Sequence, residues 1–230
     1  MSQLNLLLKQ ALQTFTCTRE MFQQNLEKLM NLMNKTSIDD VRINPVLLSN
    51  VIWEKPNKAP ATYVHIYEDL NITVGIFVLK PGLLLPLHDH PDMHGLIKVI
   101  HGKVKITSYS LNTDNTEIYK NENTEVFSES MTPFIVEKTS EVIVDPSNVC
   151  SILYPEHKNI HQVECINGPA AFMDILSPPY DTLNEHGEMR RCNYYKVLNE
   201  LAPNIFQLQK TESPSTFWTD SAPFIGKLFA

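Results

Sequence analysis

The amino-acid sequence predicts an all-β domain, either a sandwich or a jelly-roll barrel, that follows a helical N-terminal extension. Helical periodicity is confined to the first 35 residues, and short β-branched runs separated by turns fill most of the chain after residue 60. The chain has 230 residues, of which 43% are hydrophobic and 20% are charged, so it has enough apolar material for a packed core. We therefore expect a globular, β-rich protein without internal repeats.

The first 35 residues carry two apolar stripes with the spacing of an α-helix. The first stripe runs from Leu4 to Phe15 and the second from Phe22 to Met33, with a predicted break near residues 16–18. Such faces are usually buried, which favours packing of both helices on the main domain over binding of a partner.

Two local signals mark the end of the helical extension. Ser37-Ile-Asp-Asp40 has the form of a capping box and predicts the start of a short third helix. The segment Lys55–Pro60 is polar and marked by prolines, as linkers are. We therefore divide the chain into a helical extension, residues 1–54, and a β-domain, residues 55–230.

The β-domain is predicted from short apolar runs with turn signals between them. The predicted strands are Tyr63–Tyr67, Asn71–Leu79, Leu96–Ile100, Lys103–Tyr109, Val142–Val144, Ile152–Tyr154, Ile160–Ile166 and Ala170–Leu176. Lys80–Gly82 and His101–Lys103 are the predicted turns, and the polar stretch Ser110–Ser130 is predicted to leave the sheet as an exposed excursion.

Charge and cysteine usage exclude several function classes. Nineteen Lys and Arg against 26 Asp and Glu leave a net charge of −7, which argues against binding of a nucleic-acid backbone. The four cysteines form no CxxC pair and are too few for a disulfide framework in a chain of this length. No apolar run has the length of a membrane span, and the N-terminus lacks the apolar segment of a signal peptide. We expect a soluble, cytoplasmic monomer.

The most distinctive local pattern is a pair of histidines enclosed by glycines. His88 and His90 stand two residues apart, so on a strand both side chains point to one face, about 6.5–7 Å apart. Two imidazoles at that distance can bind one metal ion through bonds of about 2.1 Å. A third ligand is expected from a later strand, where Asn159-Ile-His161 follows a turn.

These residues resemble the two cupin motifs. Gly82-x5-His88-x-His90-x4-Gly95-x6-Gly102 is similar to the first motif, and residues 155–161 resemble the second. The usual glutamate ligand after HxH is missing, the second motif lacks its PxG, and His161 comes one residue late. A cupin barrel, or double-stranded β-helix, with three neutral histidine ligands is the fold and site that this resemblance implies.

A longer resemblance narrows the family. Four segments resemble the 2-aminoethanethiol dioxygenase and plant cysteine oxidase family: residues 85–95 around the histidine pair, residues 159–161, residues 168–172 and Asp174-Ile-Leu-Ser-Pro-Pro-Tyr-Asp181. Cys192-Asn-Tyr-Tyr195 and Phe217-Trp218 fit the animal branch of that family. The resemblance extends from about Tyr63 to the C-terminus.

The resemblance implies a non-haem Fe(II) thiol dioxygenase. Three neutral imidazoles leave the full charge on the iron, and a thiolate substrate then supplies the anion. Both atoms of O2 go to sulfur and give a sulfinic acid. The expected substrates are cysteamine, which yields hypotaurine, and the N-terminal cysteine of proteins, whose oxidation marks them for degradation in an oxygen-dependent way.

Four further residues receive roles from the family, each beside a simpler interpretation. Asp174 either orients the substrate amine or pairs with a backbone or basic group, and Tyr180 lies near the iron or packs at the barrel mouth. Tyr194 is a catalytic candidate, and resemblance to the animal branch implies a thioether between Tyr194 and Cys192; the alternative is a buried thiol beside a packed tyrosine. His94 is expected to pack nearby rather than to bind the metal.

The distribution of arginine predicts the kind of substrate. The four arginines are Arg19, Arg42, Arg190 and Arg191, and none falls between Tyr63 and Tyr180. An enzyme for free cysteine would be expected to bind the substrate carboxylate through the two parallel N–H groups of an arginine side chain. We therefore expect a thiol-amine whose carboxylate is absent or bound in a peptide.

Two other functions remain open from the sequence. A cupin of different chemistry, such as a zinc-dependent isomerase or a flavonol-type dioxygenase, would normally need the missing carboxylate ligand. A non-enzymatic cupin that only binds a ligand would not need His88, His90 and His161 together.

Overall fold

The computed structural model describes residues 2–111 and 132–228. The N-terminal part is helical, as predicted, with a break at residues 17–18 and a capping box at Ser37. The helices are α1 Gln3–Thr16, α2 Arg19–Lys35, α3 Ile38–Val41, a 3-10 turn Pro45–Leu48 and α4 Asn50–Trp53. Ser2 caps α1 by accepting a hydrogen bond from the Asn5 backbone N–H.

The rest of the described chain is a β-barrel. Its strands are β1 Ala61–Glu68, β2 Thr73–Leu79, β3 Leu84–His88, β4 His94–Leu111, β5 Phe134–Val144, β6 Ser151–Leu153, β7 Ile160–Ser177, β8 Tyr194–Ala202, β9 Ile205–Thr211 and β10 Thr219–Ser221. The ring β7–β3–β8–β9–β5–β4 closes because β4 also pairs with β7. This closed barrel confirms the predicted all-β barrel fold. The predicted excursion falls almost entirely on residues 112–131, which lie outside the described part.

The predicted turn at His101–Lys103 is wrong. β4 runs without interruption from His94 to Leu111, and its register with β7 shifts on both sides of His101. Gly102 has a φ of +71°, and a Cβ there would lie 2.3 Å from the Pro169 carbonyl oxygen. Glycine therefore permits a bulge inside one long strand, where the sequence pattern had predicted a turn between two strands.

Alternation along the strands separates the helices from the barrel interior. On β2, Val74, Ile76 and Val78 face outward and belong to one buried cluster with Leu7 and Leu29 of α1 and α2. The residues between them on β2 face the barrel interior, where the cavity lies. The helical extension therefore covers the outside of the sheet that forms the cavity wall. Among the described residues, the structure contains no helix long and apolar enough to cross a membrane.

Candidate active site

Three histidine side chains meet inside the barrel. His88 is the last residue of β3 and is the cross-strand partner of His161 on β7, so both side chains lie on one face. His90 lies in the loop between β3 and β4, beyond the end of the strand on which the sequence analysis placed it. All three are buried, and their ligand nitrogens lie within 4.8 Å of one another.

His90 is held by side chains from distant parts of the chain and not by pairing with a neighbouring strand. Asn159 accepts a hydrogen bond from the His90 backbone N–H at 3.0 Å and donates to the His90 carbonyl at 2.7 Å. The Tyr180 hydroxyl lies 2.8 Å from His90 Nδ1 and donates to the Asp89 carbonyl. Because the hydroxyl proton is used on Asp89, His90 Nδ1–H donates to Tyr180, and His90 Nε2 keeps its lone pair.

The other two imidazoles are also neutral. His88 Nδ1–H donates to the Pro86 carbonyl at 2.8 Å, which leaves its Nε2 as an acceptor. Burial lowers the pKa of His88 and holds the pKa of His90 and of His161 well below the ordinary histidine value. Neutral nitrogens with free lone pairs are the form that binds a metal.

The spacing of these nitrogens fits one metal ion. His90 Nε2 and His161 Nε2 lie 3.4 Å apart. Two nitrogens bound at about 2.1 Å to a common ion at a near-tetrahedral angle are separated by about 3.4 Å. The residues present therefore fit a metal held by three imidazoles.

The described residues add no carboxylate to this group of three histidines. Asp89 stands between His88 and His90, but its carboxylate accepts hydrogen bonds from the Asn193 backbone N–H at 2.9 Å and the Tyr195 hydroxyl at 2.6 Å. Asp89 thus ties the start of β8 to the histidine loop and is not available to a metal.

A cavity of about 740 Å³ opens onto the three histidines. Its volume falls within the range of roughly 300–1,000 Å³ that is typical of ligand pockets. Aromatic side chains form much of its wall: Tyr63, Phe77, Phe172, Phe217 and Trp218. The site therefore combines a polar floor with walls suited to an organic substrate.

Asp174 also lines the cavity and has an unusual environment. It lies on β7 between Gly75 of β2 and Ile97 of β4, is 9% exposed, and its Oδ1 has no hydrogen-bond partner. Burial raises the pKa of this carboxyl to about 7. A buried acceptor without a partner in a cavity wall is suited to a cationic or hydrogen-bond-donating group of a ligand.

The family model PCO_ADO matches residues 25–226, nearly the whole described chain. This chain belongs to the PCO_ADO family. The match begins within α2 and ends after β10, so it includes the barrel, the three histidines and every residue of the cavity.

Curated relatives of known name agree with the PCO_ADO family. The chain is 33% identical to 2-aminoethanethiol dioxygenase of Homo sapiens over 88% of its own length and 76% of the relative's. It is 32% identical to the Mus musculus protein of the same name, with coverages of 89% and 85%. It is 29% identical to plant cysteine oxidase 1 of Arabidopsis thaliana, with coverages of 75% and 55%. The chain is thus similar to enzymes named as thiol dioxygenases and oxidases.

The structure brings the other predicted site residues of this PCO_ADO member to the same cavity. Tyr180, Cys192 and Tyr194 line it together with Asp174. The Cys192 thiol lies beside the hydroxyls of both tyrosines, and burial raises the pKa of the thiol to about 11. Cys192 and Tyr194 therefore lie next to each other, as a thioether between them would require.

His94 lies apart from the cluster of His88, His90 and His161. Its ring contacts Phe15 of α1 and Phe22 of α2, at centroid distances of 5.9 and 5.1 Å, and Tyr154 at 5.8 Å. The expected packing role agrees with these contacts. No arginine lines the described part of the cavity.

Sequence reasoning missed two residues that hold the site. In the sequence, Asn159 stands out only as a neighbour of His161, and Asp89 is only the residue between His88 and His90. Their partners lie 69 residues away for Asn159 and 104–106 residues away for Asp89. No local pattern in the sequence carries that information.

Proposed function

We propose that this chain is a non-haem Fe(II) thiol dioxygenase that oxidises cysteamine and the N-terminal cysteine of peptides and proteins to sulfinic acids. The observation that carries the proposal is the cluster of His88, His90 and His161 without a carboxylate, on the floor of a cavity in a PCO_ADO family member. Fe(II) held there supplies the one-electron chemistry that O2 requires and lowers the pKa of a bound thiol. The overall reaction adds both atoms of O2 to the sulfur of one thiol.

The protein's own groups bind and orient the substrate in this proposal. Asp174 carries the buried, unpartnered oxygen in the cavity wall, and we assign it to the substrate amine. Tyr180 holds His90 through Nδ1 and fixes which nitrogen faces the cavity. Tyr194 lines the cavity beside His88, with ring centroids 6.4 Å apart, and we assign it to the space next to the reacting sulfur.

The absence of arginine from the described cavity wall supports substrates without a free carboxylate. A carboxylate buried there would have no cationic partner, at a cost of several kcal/mol. Cysteamine and a Cys-initiated peptide avoid that cost, whereas free cysteine does not. An oxygen-dependent role in the cytoplasm belongs to the same proposal, because the reaction consumes O2 and a thiol.

A thioether between Cys192 and Tyr194 is a further part of the proposal. Its formation removes the thiol hydrogen and one ring hydrogen, with O2 as the oxidant. A peptide that contains both residues should then weigh two hydrogens less after turnover, as measured by mass spectrometry. An unchanged mass after repeated turnover would contradict the crosslink but not the dioxygenase.

The proposal is tested by reconstituting the protein with Fe(II) without oxygen and then exposing it to air with cysteamine, free cysteine, a Cys-initiated peptide or its N-acetylated form. We expect cysteamine and the free-amine peptide to gain two oxygen atoms, with free cysteine far slower and the acetylated peptide inert. His161→Ala should lose iron and turnover, while His94→Ala should keep iron. Full iron occupancy in His161→Ala would contradict the ligand assignment.

A further inference from the structure

The cavity is much larger than the smallest proposed substrate requires. Its volume of about 740 Å³ would suit a ligand of drug size, whereas cysteamine has only a handful of heavy atoms. The space beyond the histidines and Asp174 can therefore hold the residues that follow an N-terminal cysteine.

The charged residues of this cavity wall all have the same sign. They are Glu68, Asp174 and Asp181, and neither Lys nor Arg lines the described part of the wall. Asp174 is the deep member of the set, while Glu68 and Asp181 are exposed at the surface. A cleft lined by one sign of charge attracts ligands of the opposite sign.

Strand register places the two exposed carboxylates at one end of the cavity. Glu68, the last residue of β1, pairs with Thr73 of β2, and Thr73 pairs with Leu176 of β7. Leu176 lies two residues beyond Asp174 on the same strand face, about 7 Å further along. Asp181 follows shortly after the end of β7, so it lies at the same end of the barrel as Glu68.

Among the described residues, no ion pair involves Glu68 or Asp181 at this acidic end. Arg190, near Asp181 along the chain, donates instead to the Leu183 carbonyl and to Thr182 Oγ1. Asp174 Oδ1 is the buried oxygen without a hydrogen-bond partner in this acidic wall, and it indicates a ligand that brings donors and positive charge.

We propose that Glu68 and Asp181 select Cys-initiated peptides with a lysine or arginine at the second or third position. This inference rests on the proposed function, since it assumes that the cysteine is bound at the histidines with its amine near Asp174. An extended peptide advances about 3.3 Å per residue, and a lysine or arginine side chain extends the reach from the second or third residue to the rim. Glu68 and Asp181 then act as specificity residues outside the reacting centre.

The test compares three peptides that differ only in charge at the second and third positions: Cys-Lys-Lys-Gly, Cys-Gln-Gln-Gly and Cys-Glu-Glu-Gly. With iron-loaded protein at low salt, we expect kcat/KM to be about three- to tenfold higher for the lysine peptide than for the glutamate peptide. The preference should shrink between about 0.01 M and about 1 M salt, because the Debye length falls from about 30 to about 3 Å.

Two variants and a matched control assign the effect to these carboxylates. Glu68→Gln and Asp181→Asn should each reduce the lysine-to-glutamate ratio, and the double variant should bring it close to one. Glu27→Gln removes an exposed carboxylate on α2, outside the cavity, and should leave the ratio as in the wild type.

Binding of peptides that cannot be oxidised gives a readout independent of turnover. Ser-Lys-Lys-Gly with a C-terminal fluorophore should bind several-fold more tightly than Ser-Glu-Glu-Gly by fluorescence anisotropy, and the double variant should remove the difference. Oxidation of all three cysteine peptides at equal rates, with equal binding of the serine peptides, would overturn this inference and leave the proposed function intact. Absence of oxygen addition to every thiol would overturn both.

Discussion

At the scale of single residues, Asp174 combines a structural cost with a proposed role in binding. Its carboxyl is buried with a pKa of about 7, whereas an unfolded aspartate has a pKa of about 3.9. The carboxyl therefore favours the folded state fully below about pH 4, and this contribution is lost as the pH rises through about 7. Retention of an ionisable group at this cost is typical of a functional site.

We predict that Asp174→Asn stabilises the protein and lowers its activity. At pH 8 the free energy of unfolding should rise by on the order of a few kcal/mol relative to the wild type, and the difference should shrink toward pH 4. Urea unfolding of the metal-free proteins at several pH values measures this, and kcat/KM for the Cys peptide should fall. A less stable variant with normal specific activity would favour a purely structural Asp174.

Tyr180 provides a second residue-scale prediction, because its hydroxyl touches both His90 and the Asp89 carbonyl. Tyr180→Phe leaves both groups without that partner and should reduce metal affinity or turnover about 10–100-fold while the fold is retained. Metal titration and steady-state rates measure the change. Tyr67→Phe removes a hydroxyl that contacts Asp69 in a surface turn and should leave both quantities unchanged. Equal effects of the two variants would contradict the assignment.

At the scale of elements, the site depends on contacts between segments that are far apart in sequence. Asn159 precedes β7 and binds both backbone groups of His90 in the loop after β3. The Asn159 side-chain amide thus makes the two backbone hydrogen bonds that a neighbouring strand would make if β3 continued to His90. The His90 N–H depends on Asn159 for its hydrogen bond, whereas the His90 carbonyl also accepts one from the Met93 N–H.

We predict that Asn159→Ala weakens both the fold and the metal site. The His90 N–H would lose its partner, at a cost of about 1–3 kcal/mol if it stays buried, while the His90 carbonyl would keep its hydrogen bond from the Met93 N–H. Urea unfolding should show the lost stability, and metal titration a lower affinity. Asn199→Ala, at an exposed side chain paired with Gln207, is the matched control and should change neither. A stable Asn159→Ala protein with normal metal affinity would contradict this role.

The elements also explain which sequence predictions succeeded. The helices bury one apolar face, and main strands such as β2 and the second half of β7 are buried almost throughout, so their apolar patterns predicted them well. β8 is different: most of its residues are exposed, so it carries no alternation and was not predicted. Gly102 and Gly168 lie inside long strands, although glycine at these positions looks like a turn signal in the sequence. A bulge and a turn use the same residue for the same reason, a positive φ.

At the scale of the whole molecule, the helical extension and the barrel share one buried cluster. Leu26 and Leu29 of α2 belong to the same cluster as Val64 of β1 and Ile76 of β2. The division into two domains, residues 1–54 and residues 55–230, stays a prediction from the sequence. The shared cluster indicates that the two parts unfold together.

We predict that Leu29→Ala destabilises the whole protein by about 2–5 kcal/mol, because Leu29 is fully buried in that cluster. The far-UV signal of the helices and the near-UV signal of the barrel aromatics should shift together in urea. Met21→Ala, at a side chain 45% exposed, should have little effect. Separate transitions for the two signals would contradict a single cooperative unit.

The cluster of three histidines and the barrel were predictable because HxH, the flanking glycines and the later histidine form a sequence pattern. The acidic end formed by Glu68 and Asp181, the hydrogen bonds of Asp89 and those of Asn159 were not predictable. Each depends on residues that are far apart in the sequence and meet only in the folded chain. Glu68 and Asp181, for example, are 113 positions apart in the chain but lie at one end of the barrel.

The central claim is that the three-histidine site adds both atoms of one O2 to a thiol sulfur. The most direct measurement is the oxidation of a Cys-initiated peptide by the Fe(II)-loaded protein under 18O2, with the product analysed by mass spectrometry. The account predicts a sulfinic acid in which both added oxygen atoms are 18O, and no such product from the His88→Ala protein. A disulfide as the main product, or a sulfinic acid with oxygen from water, would contradict it.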